Sequence, residues 1–563
     1  MVPIRLGGFT ALGKIEFPIA KIQLNSKYQG MSYPYLKASL QLLLFLASLL
    51  LASWSFGADD RPNILFCIMD DASYMHMSAY GCEWTDTPAF DRLANEGILF
   101  QNAYTPNAKC APSRSSILTG RNSWQLEEAA NHIVNFPAKF RTFPEVLRAN
   151  GYQAGKTGKG WGPGLPGEID GKPRVLIAKN YGSENLDKKP ATGMSIEDYA
   201  GNFEVFLEEI DSEKPWFFWY GSREPHRRYE YGSGQKLGGK SIDDIKEVPG
   251  FWPDSEVIRN DMLDYGLEIE HADSHLGMMI ESLEERGLLE NTLIVMTSDN
   301  GMPFPRGKAQ EYEYSNHMPL AMMWPKGIRN PGRTVTDMVS FVDFAPTFLD
   351  VAGIRFEDSG MQSSPGRSLM DIFKSRKSGQ VNPRRDYVVI GKERHDYSRP
   401  GNQGYPIRGI VGNDYLYLYN YKIDLWPAGN PELGYLDVDG SPTKTEILEL
   451  FRSGKDRSYW ELSFGKRKAH EEFFDLANDP ECLNNLADDE RLTEVKRKMK
   501  ARLDETLAEQ KDPRFLGNGE VFDNYGFSQD HAWNFYENYM AGKESKKRTG
   551  WVNDSDYEPE PLD

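Results

Sequence analysis

Three short apolar runs, set far apart and each ending abruptly in polar residues, constrain this chain more than any other feature. Asn63 to Met69 (NILFCIM) stops at Asp70 and Asp71. Trp216 to Tyr220 (WFFWY) leads within a few residues to Arg223 and His226, and Leu293 to Thr297 (LIVMT) gives way to Asp299, Asn300 and Gly301. Short apolar runs bounded by turn signals and separated by longer helical stretches describe the buried strands of an α/β domain with a largely parallel sheet. In open α/β sheets ligands bind beyond the carboxyl ends of the strands. The pattern therefore predicts one site at one sheet edge, assembled from residues distant in sequence.

Between the second and third runs, Ile258, Met262, Tyr265, Ile269, Ala272 and Leu276 recur at helical spacing. After about Ser375 the character changes. Tyr387 to Ile390 and Tyr415 to Tyr421 read as strands of a smaller, antiparallel domain, followed by an amphipathic helix with Leu492, Val495, Met499, Leu503 and Leu507 on one face. The stretch after Lys543 is charged and poor in aliphatics, which predicts a loosely held segment.

The length of 563 residues suits more than one core. Lys and Arg number 65 against 83 Asp and Glu, a net charge of −18. That balance argues against a nucleic-acid partner, which demands basic stripes. It leaves room for a small anionic substrate, because a few cations in a cleft can reverse the local field. Leu40 to Trp54 is almost wholly apolar, with Lys37 before it and Ser55, Gly57 and Ala58 after it. It reads as a signal peptide cleaved near Ala58, with an uncleaved anchor as the alternative. Residues before Met31 fit no part of such a signal, which places a candidate start at Met31. The expectation is a secreted or periplasmic protein with no membrane association after cleavage. Cys67, Cys82, Cys110 and Cys482 are too few and too scattered for a disulfide scaffold.

Cys110 opens the stretch CAPSRSSILTGR. Pro112 suits a first helical position, so Cys110 is predicted at a helix N-terminus, where free amides and the dipole favour an anion. A thiol there is expected to have a depressed pKa, which makes a cysteine nucleophile the reading from residues alone. A buried, inert cysteine is the alternative, although it would not need Arg114 one turn along.

The pattern Cys-x-Pro-Ser-Arg followed by Leu118-Thr119-Gly120 resembles the signature of type I sulfatases. The resemblance implies that Cys110 is oxidised to a formylglycine by a formylglycine-generating enzyme and becomes the nucleophile. It further implies Ca²⁺ held by Asp70, Asp71, Asp299, Asn300 and the modified Cys110, with Arg114 supporting the nucleophile. Lys159 in GKTGKGWGPG, His226 in SREPHRR and Lys308 fall where the family places groups that act on the sulfate. The implied fold is an alkaline-phosphatase-like three-layer α/β sandwich with a smaller C-terminal α+β domain carrying an antiparallel sheet. The implied division is 1–58 for extension and signal, 59–375 for the catalytic domain, 376–520 for the smaller domain and 521–563 for a tail. The resemblance extends to Phe473-Phe474-Asp475-Leu476 and Asp479-Pro480.

Within the family, SDNGMPFPRG (298–307) and EPHRR (224–228) look closest to the sulfamidases, which cleave N-sulfated glucosamine. One position departs: many relatives carry a histidine two residues after the lysine equivalent to Lys159, and here it is Trp161. An indole can stack on a sugar face but cannot serve as a general acid. Trp161 is thus a candidate contact to a sulfated saccharide, and His395, in KERHDYSRP, is another if it reaches from the smaller domain into the cleft, with a surface loop as the equal alternative. His271 and His275 share an i, i+4 spacing, but no metalloprotease glutamate accompanies them. Alternatives within reach of the sequence are an O-sulfatase on another sulfated polysaccharide, a phosphate or phosphonate ester hydrolase of the same fold, and a non-catalytic binder of sulfated glycan.

Overall fold

The computed structural model describes residues 59–562 except Asp170 and Asn413. The signal-peptide reading, with its run from Leu40 to Trp54 and cleavage near Ala58, lies outside the described residues. No helix among them is long and apolar enough to cross a membrane.

Nine strands form the main sheet: β1 (Asn63–Met69), β2 (Ile98–Tyr104), β3 (Gln153–Gly158), β4 (Lys179–Asn180), β5 (Trp216–Gly221), β6 (Thr292–Ser298), β7 (His317–Met318), β8 (Leu320–Met323) and β9 (Arg333–Ser340). Their order is β7-β2-β8-β6-β1-β5-β3-β4, with β9 paired to β2. The centre, β6-β1-β5-β3, is parallel. β8 joins β6 antiparallel, so the sheet is mixed rather than parallel throughout. All three apolar runs read from sequence lie at its centre, every residue of β1, β5 and β6 buried.

Separate apolar clusters cover the two faces. One packs Leu65, Cys67 and Met69 of β1 against the long helix α2 (Glu256–Glu285). The other packs Ile64, Phe66 and Ile68 against Phe344 and Phe348 and against Ile117 and Leu118 of α1 (Cys110–Thr119). Alternate residues of β1 thus face opposite layers, as the period of a strand requires. The predicted core face of α2 is buried at all six positions, from Ile258 to Leu276.

A second sheet is antiparallel, in the order β10 (Val388–Lys392), β11 (Ile407–Gly412), β12 (Tyr415–Asn420) and β13 (Glu471–Asp475). The helix α4 (Thr493–Glu509) buries Leu503 and Leu507 against it, with Leu492, Val495 and Met499 partly covered. Between these elements lies α3 (Pro442–Arg452).

The segment after Lys543 is not loosely held. Val552 and Tyr557 are buried in a cluster with Tyr397, Leu433 and Leu436. The Trp551 indole donates to the Leu436 carbonyl at 2.8 Å, Gly440 N donates to the Trp551 carbonyl at 2.8 Å, and buried Asp556 pairs with Lys444 at 3.3 Å. Aromatic area and backbone hydrogen bonds do here what aliphatics would do elsewhere.

Candidate active site

The parallel register of β1 and β6 builds the site. Met69 pairs with Ser298, so both strands end level and Asp70-Asp71 emerges beside Asp299-Asn300. Asp299 N donates to the Met69 carbonyl, and Asp71 N donates to Asp299 Oδ1 at 3.2 Å. Asp71 adopts a left-handed backbone (φ 79°), a conformation Asp tolerates better than most residues.

Cys110 is the first residue of α1, two positions earlier than Pro112 would suggest. Pro112 fits within the first turn, whose amides have no intrahelical acceptors anyway. Ser113 Oγ donates to the Asp299 carbonyl at 2.6 Å and so ties α1 to the end of β6. Arg114, fully buried, donates from Nε to Asp299 Oδ2 at 2.6 Å and from Nη1 to the carbonyls of Lys159 and Gly160. The expected depression of the Cys110 thiol does not occur. Burial pushes it up to about 12, against the pull of Lys159 and Lys308. The helix N-terminus is present, but loss of solvent dominates. As a thiol, Cys110 is a poor nucleophile near neutral pH.

Lys159 follows the close parallel pairing of β3 and β5, which ends at Gly158 opposite Gly221. Its amide donates to the Gly221 carbonyl at 2.7 Å, and a Cβ on Gly221 would lie 1.8 Å from the Lys159 carbonyl oxygen, so only glycine fits. Lys159 Nζ then reaches both oxygens of Asp70, at 2.7 and 2.6 Å. Lys308 Nζ bridges Asp71 at 2.7 Å and Asp439 at 3.1 Å. His226 Nε2 stands 3.8 Å from Asp71, while its Nδ1 lies 2.7 Å from the Arg227 carbonyl. A carbonyl only accepts, so Nδ1 carries the proton and Nε2 faces the cluster. Arg227 is clamped by both oxygens of Asp261 on α2, at 2.7 and 2.8 Å, which fixes the loop of His226.

The charges are unevenly settled. Burial alone would raise Asp70, but Lys159, His226, Arg114 and Lys308 together hold it well below the usual carboxylate range. Asp299 is pushed up to about 6 by burial, which Arg114 only partly offsets. The carboxylates of Asp70, Asp71, Asp299 and Asp439 outnumber Arg114, Lys159 and Lys308. Asn300 donates to Asp71 at 2.7 Å, yet its own Oδ1 is buried without a partner. Ligand atoms of Asp70, Asp71 and Cys110 lie within 4.8 Å of one another. Excess buried negative charge and an orphaned amide oxygen fit a hard divalent cation taking oxygen ligands.

Two sequence candidates sit differently from expectation. The Trp161 indole donates to the Ala111 carbonyl at 3.1 Å and to Ser115 Oγ at 2.8 Å, so its polar edge is spent holding α1. His395 is wholly buried, its Nε2 2.9 Å from Asn107 Oδ1, and burial holds it well below its usual range. His271 and His275 pack edge to face with each other on α2. Sequence reasoning missed Asp439, because LDVDG (436–440) carries no motif and only the fold brings it to Lys308. It also missed Lys109, whose Nζ lies 2.9 Å from buried Asp396, itself 3.1 Å from His132 Nδ1.

Fold and site together define an alkaline-phosphatase-like α/β fold with an acidic, cation-braced centre at the carboxyl ends of its central strands. The family model Sulfatase matches residues 62–354, just over half of the chain. The model N-sulphoglucosamine sulphohydrolase, C-terminal, matches 307–426. The chain belongs to the sulfatase family and is a hydrolase of sulfuric esters or sulfamates. It is similar to an ulvan-active sulfatase of Formosa agariphila (27% identity, covering 82% of this chain and 77% of the relative). It is also similar to the human N-sulphoglucosamine sulphohydrolase (26% identity, covering 80% and 91%). A solved structure of a protein in complex with its substrate D-glucosamine-2-N,6-O-disulfate shares the fold, with TM-score 0.57 at 22% identity over 80% of this chain and 98% of that one.

Proposed function

We propose that the protein removes sulfate from a sulfated saccharide, using a formylglycine made from Cys110 and a calcium ion held by Asp70, Asp71, Asp299 and Asn300. The observation that carries this reading is the unpartnered Asn300 Oδ1 among buried carboxylates beside Cys110. The thiol's raised pKa supports it as well, since an unmodified Cys110 is protonated at neutral pH. Bound there, calcium supplies Lewis-acid polarisation of the oxygens it touches, and a hydrated formylglycine supplies the attacking hydroxyl.

The remaining work falls on the chain itself. Arg114 and the first turn of α1 fix residue 110 against the end of β6. Lys159 and Lys308 present ammonium groups to the sulfuryl oxygens and offset charge that develops on them. His226, with Nδ1–H tied to a carbonyl, takes up a second proton at Nε2 and, as the imidazolium, delivers it to the leaving oxygen or nitrogen. A dication would turn the local carboxylate excess into a slight positive balance. That suits the single charge of a sulfate monoester better than the near-double charge of a phosphate monoester.

The substrate of first choice is N-sulfated glucosamine, supported by the match to the sulfohydrolase C-terminal model and the likeness to the human enzyme. Likeness to an ulvan-active sulfatase keeps an O-sulfated polysaccharide as the second reading. We assign catalysis to 59–375, with 376–520 as the smaller domain and 521–563 as a closing segment. The apolar run before residue 58 supports export to the periplasm or medium. The deciding experiment has two parts. A peptide mass around Cys110, after co-expression with a formylglycine-generating enzyme, should show an aldehyde in place of the thiol. Sulfate release should then be lost on chelation and restored by Ca²⁺ better than by Zn²⁺. Full activity from the unconverted thiol, or from metal-free protein, would sink the reading. Comparing N- and O-sulfated sugars, with wild type and Trp161→His, separates the two substrate readings.

A further inference from the structure

Lys392 closes β10 at a position where an apolar side chain is expected. Alternation along the strand sets it on the face of Val388 and Ile390, which pack in one cluster with Tyr104, Tyr312 and Met338 of the main domain. Yet its side chain is wholly buried and makes no ion pair among the described residues. It donates instead to two backbone carbonyls, that of Ala309 at 2.6 Å and that of Pro427 at 3.1 Å. Burial lowers its pKa to about 7, but a neutral amine still carries N–H groups, so these contacts survive loss of the proton.

Ala309 is the residue after Lys308, and the backbone on both sides of that lysine is tied down. Lys308 N donates to the Met302 carbonyl and Ala309 N to the Ala108 carbonyl, each at 2.9 Å. The second bond joins the loop of Lys308 to the segment that leads into Cys110. Ala309 holds a left-handed backbone (φ 66°), which a Cβ disfavours and which persists only where its surroundings demand it. Lys392 supplies that demand. Among the described residues it is the one side chain that donates to the Ala309 carbonyl. Ala309 is itself fully buried, so without that donor its carbonyl would be left unpaired away from water. Nothing would then hold the left-handed turn against relaxation, and the peptide beside Lys308 would be free to rotate.

We propose that Lys392 is a positioning residue for Lys308: by holding the Ala309 carbonyl, the smaller sheet fixes the loop that aims the Lys308 ammonium at the sulfuryl oxygens. The proposal rests on the reading of the site as a sulfated-sugar hydrolase, from which it takes the task of Lys308. Its test measures sulfate release from glucosamine N-sulfate and from N-acetylglucosamine 6-sulfate, with hydrogen–deuterium exchange of the same proteins alongside. On whichever sugar is cleaved, Lys392→Met should lower kcat about ten- to hundredfold and move KM less than about threefold, as a misplaced group would. In a Lys308→Ala background the same substitution should cost less than about twofold more, because the group it positions is gone. Exchange should quicken at the amides of 306–310 and stay slow in β10 and β11. Should Lys392→Met not fold, Lys392→Gln, which keeps an N–H donor, takes its place in each comparison. Wild-type kcat, a loss that multiplies in full with that of Lys308→Ala, or exchange that quickens equally along β10 and β11 would overturn the assignment. No release from either sugar by wild type that still cleaves 4-nitrophenyl sulfate would overturn the sugar reading instead, and the same comparisons on 4-nitrophenyl sulfate would then decide the role of Lys392.

Discussion

Two buried clusters of this molecule use the same residue types to opposite ends. In the smaller sheet, Arg408 on β11 is fully buried between Asp512 and Glu393, at 2.8 and 2.7 Å, and its Nη1 donates to the carbonyls of Lys392 and Ile407. Arg514 closes the arrangement on the far oxygen of Glu393 at 2.6 Å. The guanidinium of Arg408 and the carboxylates it meets are all matched. At the ends of β1 and β6, by contrast, Arg114 Nη2 and Asn300 Oδ1 are buried without a hydrogen-bond partner, and carboxylates outnumber cations. A saturated ionic cluster fixes structure. One left short of a positive charge awaits a ligand.

The most severe way to break that contrast is at the nucleophile. Cys110→Ala should lower sulfate release to background, a loss of about 10⁴-fold or more, while melting within a few degrees of wild type. Retained turnover would remove Cys110 from the mechanism. Next in size, Asp299→Asn keeps a hydrogen-bond acceptor for Arg114 but removes a charge. It should cut kcat/KM on the order of 10²–10³-fold and abolish thermal stabilisation by added Ca²⁺, with little cost to the apo fold. An apo form several kcal/mol weaker would mean that this cluster, too, is structural.

Arg408→Met tests the other side. It leaves Glu393 and Asp512 facing one another in the interior and should cost about 3–5 kcal/mol in denaturant unfolding, with near-normal KM in the fraction that remains folded. The smallest effect concerns a group that avoids charge altogether. His76 is buried beside Tyr265 Oη, and burial holds it at about 3. Its folded pKa lies below its ordinary value of 6.5, so its contribution is complete above pH 6.5 and lost as pH falls toward 3. The loss should approach about 2 kcal/mol by pH 5, and His76→Gln should flatten melting temperature against pH over that range. Parallel curves would place the acid sensitivity elsewhere.

The strand ends were legible because buried strands have a length and composition that little else shares, and because Asp70, Asp71, Asp299 and Asn300 follow them without a break. The helix of Cys110 was legible from Pro112. What escaped was anything decided by solvent or by distant packing. The Cys110 thiol rises because no water reaches it, a fact no motif contains. Asp439 joins Lys308 through a loop with no regular pattern, across 131 positions of sequence. The segment after Lys543 looked unanchored because hydropathy gives little weight to Trp551 and Tyr557, although their rings bury well.

That segment has a consequence for how the protein is made. Trp551 holds the Leu436 carbonyl and the Gly440 amide, on either side of the loop whose Asp439 steadies Lys308. The ribosome makes this brace long after Cys110 has emerged. Until then the loop behind the pocket lacks two of its hydrogen bonds, and residue 110, which the finished fold leaves only 2% exposed, has not yet been closed in by the last of the chain. Under the conversion of Cys110 proposed above, the order of synthesis would give a converting enzyme its interval, before the brace forms and the chain seals the residue in.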